Sequence, residues 1–173
     1  GGVPFALAAD RVVAREDVVL NPYYQHMGGL YGSEYWTYLL PRRVGSEVTA
    51  RLTGPPFTPL GTRQAVQLGL LDAAFGSTLD SFRCQVRVLA ERLARTPDLG
   101  QCLNEKRRRR ARDEENKPLD AYRKEELARS YRCFFGEDRS YHEARRRFVH
   151  KLGAPCAVTA PAGAPVAAAR RAA

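Results

Sequence analysis

Five of the chain's eight tyrosines, Tyr23, Tyr24, Tyr31, Tyr35 and Tyr38, lie in the stretch NPYYQHMGGLYGSEYWTYLLPRRVG, which starts at Asn21 and ends at Gly45. The only Trp (Trp36) and the only Met (Met27) share it, and Glu34 is its one carboxylate. A tyrosine hydroxyl both donates and accepts hydrogen bonds and stays neutral near pH 7. A carboxylate enclosed by apolar rings has its pKa raised and can exchange protons near neutrality. Together these groups suit proton relay beside a polar substrate group. The same residues also have a bland reading. Tyr35, Trp36 and Tyr38 suit a core, since Tyr35 and Leu39 lie four apart on one helix face. Glu34 suits the first turn of a capped helix, where the dipole favours an acid. His26 is a lone loop histidine, ordinarily solvated, with proton relay as its alternative role.

Gly1 and Gly2 precede the apolar run VPFALAAD. Two glycines at the mouth of a helix let the backbone approach a ligand and aim free N–H groups at it. Such groups can hold a carbonyl oxygen as charge builds on it. A tight turn is the bland alternative.

These residues need elements to position them. VPFALAAD reads as a helix, and the β-branched pairs of RVVA and DVVL read as short strands. Ser33 is expected to cap a helix over 34–40, with Pro41 starting a new turn and Gly45 ending it. GPPFTP reads as a loop, GTRQAVQLGL as a short helix, and LLDAAFG as an apolar strand or turn. Residues 77–151 read as almost wholly helical. The apolar spacing of Leu79, Phe82, Val86, Val88, Leu89 and Leu93 marks the first helix. A second covers 101–116, before Lys117-Pro118 breaks it, and a third covers 119–135. The Ala/Pro/Gly-rich tail, 153–173, is expected to be disordered.

The chain has 173 residues, of which 44% are hydrophobic and 27% charged, so one globular unit with a real core is expected. The net charge of +9 implies attraction to something anionic: nucleic acid, a membrane surface or a phosphorylated small molecule. Four cysteines, Cys84, Cys102, Cys133 and Cys156, form no CxxC pair, so neither a zinc site nor any other metal site is expected. Free thiols fit a cytoplasmic protein. No apolar run has membrane-spanning length. GGVPFALAADRVVA opens without an initiator Met, and the chain is expected to be a fragment.

GGVPFALAADRVVA, then NP, G..GS..W..L..RVG, LTG and A..LGL.D..FG, together resemble the second half of a crotonase-fold chain, the enoyl-CoA hydratase/isomerase superfamily. The resemblance implies an α/β fold: the second half of a crotonase-like (ββα superhelix) core over 1–76, followed by a C-terminal helical region over 77–152. It makes Gly1 or Gly2 one N–H of an oxyanion hole for a thioester carbonyl. Hydratases of the superfamily carry one Glu shortly after the glycines and another after a Pro. Here those positions hold Pro4 or Phe5, and Tyr23. Alkene hydration then lacks a general base.

The stretch NPYYQHMGGLYGSEYWTYLLPRRVG, with the later R..DEENKPLDAYRKEEL and YHEARRRFVHK, resembles the C-terminal crotonase-like domain of the HypX family of hydrogenase maturation factors. That resemblance covers about 1–152 and implies a lyase splitting formyl-CoA into CO and CoA, with CO supplied to a nickel–iron hydrogenase. Coenzyme A is then the substrate carrier, and formyl-tetrahydrofolate belongs to a preceding region absent from this sequence. Losing CO breaks a C–S bond and moves the formyl proton, on balance, to sulfur. Tyr24 and Glu34 are the first candidates for that work. Tyr23 and Ser33 come next, with Trp36, Leu39 and Leu40 shaping and drying the pocket. A fragment lacking half the fold is expected to be inactive alone.

KRRRRAR places six cations between Lys106 and Arg112, and RRR follows at Arg145, Arg146 and Arg147. The bland reading is a solvated helix face with i,i+4 pairs such as Arg110 and Glu114. Aromatics do not interleave with the runs, and no nucleic-acid motif appears. The CoA reading makes Arg145, Arg146 and Arg147 candidates for the adenosine-end phosphates, which arginine forks fit well. The partners expected are an acyl-CoA and the hydrogenase maturation machinery, without nucleic acid or membrane. The alternatives are a crotonase-fold enzyme acting on another acyl-CoA, and a basic helical interaction module.

Overall fold

The computed structural model describes residues 2–21, 30–54 and 58–152. They form a helix-rich α/β structure in which short strand pairs tie helices together. Helix α1 (Gly2–Leu7) begins at the second glycine rather than after it. It tolerates Pro4 because first-turn N–H groups have no helical partner. Strand β1 (Val13–Ala14) pairs in parallel with β4 (Ala73–Ala74), Val13 opposite Ala73. Strand β2 (Val19–Leu20) pairs antiparallel with β3 (Leu60–Gly61), Leu20 opposite Leu60. Helix α3 (Thr62–Gln67) follows β3 directly.

Helix α2 (Trp36–Thr53) lies between α1 and the later helices. It departs from the sequence expectation at two points. Ser33 does not cap it: the residue before its first turn is Tyr35, in the left-handed region at φ 58°. Nor does Pro41 start a new turn, since it sits inside the first helical segment. Gly45 interrupts the helix as expected, with a non-helical φ 82° and ψ 164° that only glycine adopts freely, and a second segment then runs on to Thr53.

Leu7, Val12, Leu40, Leu60, Ala65, Leu70 and Leu71 form the buried cluster. It joins α1, α2, α3 and the strand ends, with Trp36 and Leu39 packed partly against it. The C-terminal helices are α4 (Leu79–Ala94), α5 (Leu99–Asn116), α6 (Leu119–Phe135) and α7 (Ser140–Val149). The Thr78 hydroxyl caps α4 by accepting the Ser81 N–H at 3.2 Å. Lys117, extended before Pro118, separates α5 from α6. Helix α6 packs on α2 and α7 on α6. Among the described residues no helix is long and apolar enough to cross a membrane.

Candidate active site

In the run into α2, Tyr31, Ser33, Tyr35 and Thr37 each form a hydrogen bond to α6. Glu126 is fully buried. Its Oε2 accepts the Tyr35 N–H at 2.8 Å, and its Oε1 accepts the Thr37 N–H at 2.9 Å and the Thr37 hydroxyl at 2.5 Å. The cap missing from the local sequence is thus supplied from about ninety residues away. A carboxylate at this end of a helix meets unpaired N–H groups and the positive end of the dipole.

Three neighbours on α6 complete the grip. The Arg123 guanidinium donates to the Ser33 carbonyl and lies 5.6 Å from the Tyr35 ring centre. The Ser130 hydroxyl donates to the Tyr31 carbonyl. Arg129 donates to the Tyr31 hydroxyl at 3.3 Å and stands 4.9 Å from its ring centre. Burial raises the Tyr31 pKa, with Arg129 acting in the opposite direction. The Tyr31 and Trp36 rings meet at 5.2 Å.

Ser33 and Glu34 are brought together here. The Ser33 N–H donates to Glu34 Oε2 at 2.9 Å. Glu34 is exposed, and the described residues do not supply the ring-lined enclosure expected around it. Gly2 opens α1, with nothing within 4 Å of where a Cβ would stand. Gly1, Tyr23, Tyr24 and His26 lie outside the described residues.

The remaining rings pack. Tyr38 stacks at 5.4 Å on Tyr122 and donates its hydroxyl to Asp113 Oδ2 at 2.9 Å, while Arg42 pairs with Asp113 at 2.8 Å. Burial and then the Asp113 bond raise the Tyr38 pKa. Its hydroxyl is committed to α5 rather than to a substrate.

The basic run on α5 splits in two. Lys106 pairs with Asp10 at 2.6 Å, and Arg110 pairs with Glu114 while lying 5.6 Å from the Tyr38 ring centre. Arg107, Arg108, Arg109 and Arg112 are exposed. On α7, Arg145 and Arg146 are exposed and Arg147 is half-buried. A shallow hollow of about 490 Å³ lies where Tyr31 meets α6 and the start of α7, lined by Arg129 and Arg132 but by none of the three α7 arginines. Among the described residues no group of three or more His, Cys, Asp or Glu gathers as a metal site would require.

Sequence reasoning missed Arg123, Glu126, Arg129 and Ser130. Their one visible signal is spacing: 123, 126 and 130 fall three and four apart, one face of a helix. A lone sequence gives no sign that this face is buried.

No protein-family model matches the chain. Over 155 residues it is 44% identical to the hydrogenase maturation factor HoxX of Bradyrhizobium diazoefficiens, covering 88% of this chain and 26% of that protein. The crystal structure of HypX from Aquifex aeolicus in complex with tetrahydrofolic acid superposes with a TM-score of 0.80 at 38% identity, covering 88% of this chain and 27% of that one. This chain is thus similar to part of the HypX/HoxX hydrogenase maturation factors. An enoyl-CoA hydratase/isomerase from Pseudoalteromonas atlantica superposes with a TM-score of 0.70 at 23% identity, over 87% of this chain and 56% of that one. The chain therefore has part of the crotonase fold. The chain spans about a quarter of the length of the HypX/HoxX proteins it matches.

Proposed function

We infer that this chain is the crotonase-like part of a hydrogenase maturation factor that splits formyl-CoA into CO and CoA. The observation that carries the reading is the 44% identity to HoxX across nearly the whole chain. The missing hydratase carboxylates, replaced at Pro4 or Phe5 and at Tyr23, argue against water addition.

In this reading the N–H groups at Gly1 or Gly2 hold the thioester carbonyl oxygen. Tyr24 and Glu34 manage the proton, with Tyr23 and Ser33 beside them. The formyl proton leaves and its C–H electron pair stays on carbon. The C–S bond then breaks with its pair going to sulfur. The proton ends on that sulfur, giving CO and the free thiol of CoA. Arg145, Arg146 and Arg147 are candidates for the CoA phosphates, Arg147 being the half-buried one. Residues 1–76 serve as the partial core, 77–152 as the helical region, and 153–173 as a tail. Formyl-tetrahydrofolate would be used elsewhere in the longer protein, in the cytoplasm. The likeness to enoyl-CoA hydratase structures favours, as second reading, a crotonase-fold enzyme acting on another acyl-CoA.

The test uses the full-length maturation factor. It is incubated with formyl-CoA, and CO is followed by the absorbance shift of a trapping haem protein. CO from the wild type, lost on Tyr24→Phe or Glu34→Gln in variants that still bind CoA, supports the reaction and the site. An intact, CoA-binding wild type that releases no CO overturns the lyase reading and leaves other thioesters to be screened.

A further inference from the structure

We propose that Glu126 is the positioning residue of this site: its buried carboxylate, on α6, fixes the backbone that presents Ser33 and Glu34. The inference rests on the lyase reading and assigns the residue that sets its geometry.

A buried carboxylate is costly unless its charge is satisfied. Glu126 is 0% exposed, and its partners are the N–H groups of Tyr35 and Thr37 and the Thr37 hydroxyl. No Lys, Arg or His stands in an ion pair with it among the described residues. Among the described residues, its hydrogen bonds all run to the start of α2. A cap whose only purpose was to stabilise α2 would come more simply from a Ser, Thr, Asp or Asn at the residue before the helix. That residue is instead Tyr35, held left-handed at φ 58°, where a bulky side chain is disfavoured. Strain kept in place by surrounding contacts is a mark of functional segments.

The left-handed turn has a geometric consequence. It separates residues 33 and 34 from the helix, so Glu34 lies outside the first turn, exposed and held by the Ser33 N–H. Arg123 fixes the Ser33 carbonyl on one side of Glu34, and Glu126 fixes the Tyr35 N–H on the other. The two clamps are three residues apart on one face of α6. Proton transfer needs its groups placed within about 0.5 Å, and two bonds to the flanking main chain give that placement without touching the Glu34 side chain. Glu126 acts through Glu34 and is not itself a catalytic residue.

The experiment compares wild type, Glu126→Gln, Thr37→Val and Lys124→Ala in the full-length protein. CO release from formyl-CoA gives kcat, and calorimetry gives CoA affinity and the fraction of binding-competent protein. Glu126→Gln keeps the shape but turns an amide group toward N–H donors. Its expected effect is a fall in kcat on the order of 10- to 100-fold, with CoA affinity and binding stoichiometry held within about twofold. Lys124, on the exposed face of α6 and paired with Asp120, serves as the control whose loss changes nothing. A purely structural role would instead lower the binding-competent fraction and leave the turnover of that fraction unchanged. Should Glu126→Gln fail to bind CoA, Thr37→Val decides. It removes a single bond to the same carboxylate and is expected to lower kcat about three- to tenfold.

An active wild type matched in kcat by the folded variants overturns this inference alone. A CoA-binding wild type that releases no CO overturns the lyase reading, and the inference falls with it.

Discussion

Asp72→Asn offers the sharpest test of how the site-bearing helix is joined to the strands. Asp72 stands just before β4, and its carboxylate gathers three donors. Oδ2 accepts the Val12 N–H at 2.7 Å and Arg43 Nη2 at 2.7 Å, while Oδ1 takes Arg11 at 3.2 Å. Its own N–H returns to the Val12 carbonyl at 2.7 Å. Arg43 lies on α2, so one carboxylate ties α2 to the β1–β4 pair. The Asp72 and Arg43 side chains are only 23% and 22% exposed, whereas Arg11 is 61% exposed. Each charge-assisted bond at a partly buried site contributes about 1.5–3 kcal/mol, and a neutral replacement about 1 kcal/mol. The exposed Arg11 pair adds about 0.3 kcal/mol. Asparagine can satisfy one donor with its carbonyl but must turn its amide group toward the other. The expected loss is about 2–3 kcal/mol, read from urea unfolding by far-ultraviolet ellipticity.

The pH dependence separates this cause from a packing defect. Burial alone would raise the Asp72 pKa, but the Val12 N–H, Arg43 and Arg11 together outweigh it and hold it below 3.8. A carboxyl with a lowered folded pKa stabilises fully above its unfolded value and loses that contribution as pH falls through the folded one. The gap between wild type and variant should therefore be level from about pH 7 to about pH 5 and narrow below 3.8. A gap under about 0.5 kcal/mol near neutrality, or one that stays level well below 3.8, would refute the reasoning.

Tyr38→Phe should cost about 1 kcal/mol near neutrality, because it removes the bond to Asp113 while leaving Arg42 in place. The folded pKa of Tyr38 is raised above 10.0, so its contribution is present below that value and lost as pH rises through the folded one. Unfolding curves for wild type and Tyr38→Phe should thus converge in alkali, and a constant gap would count against the Asp113 bond. Gly76→Ala should cost on the order of 2–4 kcal/mol in thermal unfolding. Gly76 sits at φ 80°, and an added Cβ would meet the Phe82 backbone at 2.7 Å. A variant as stable as wild type would mean that the turn into α4 can rearrange.

Where local chemistry decides an element, the sequence foretells it closely. Lys117-Pro118 marks the break before α6, and the expected bounds 119–135 match Leu119–Phe135. Helix α1 and the short strands β1 and β2, each beginning at the second Val of a Val-Val pair, were legible for the same reason. Gly45 was legible too, since its non-helical backbone closes the first segment of α2, but the second segment that follows to Thr53 was not foreseen. Ser33 misled for a deeper reason. The residue type suits a local cap, but the cap that forms is a tertiary contact, and no local pattern encodes a partner ninety residues away. Glu126 itself reads as an ordinary solvated acid beside Lys124 and Glu125.

That long-range cap bears on where one functional unit ends and the next begins. Composition draws a line near residue 76, with a mixed core before it and helices after. The candidate site does not respect that line. Residues 31–37 lie on one side, and Arg123, Glu126, Arg129 and Ser130, which hold them, lie on the other. Tyr38 and Arg42 cross it again to reach Asp113 on α5. A helical region that only covered a finished core would contact it through apolar side chains. Here the contacts include directed polar bonds to the main chain on both sides of Glu34. The backbone on both sides of Glu34 is thus bonded to α6 as well as to its own neighbours, so the C-terminal helices help to frame the candidate site.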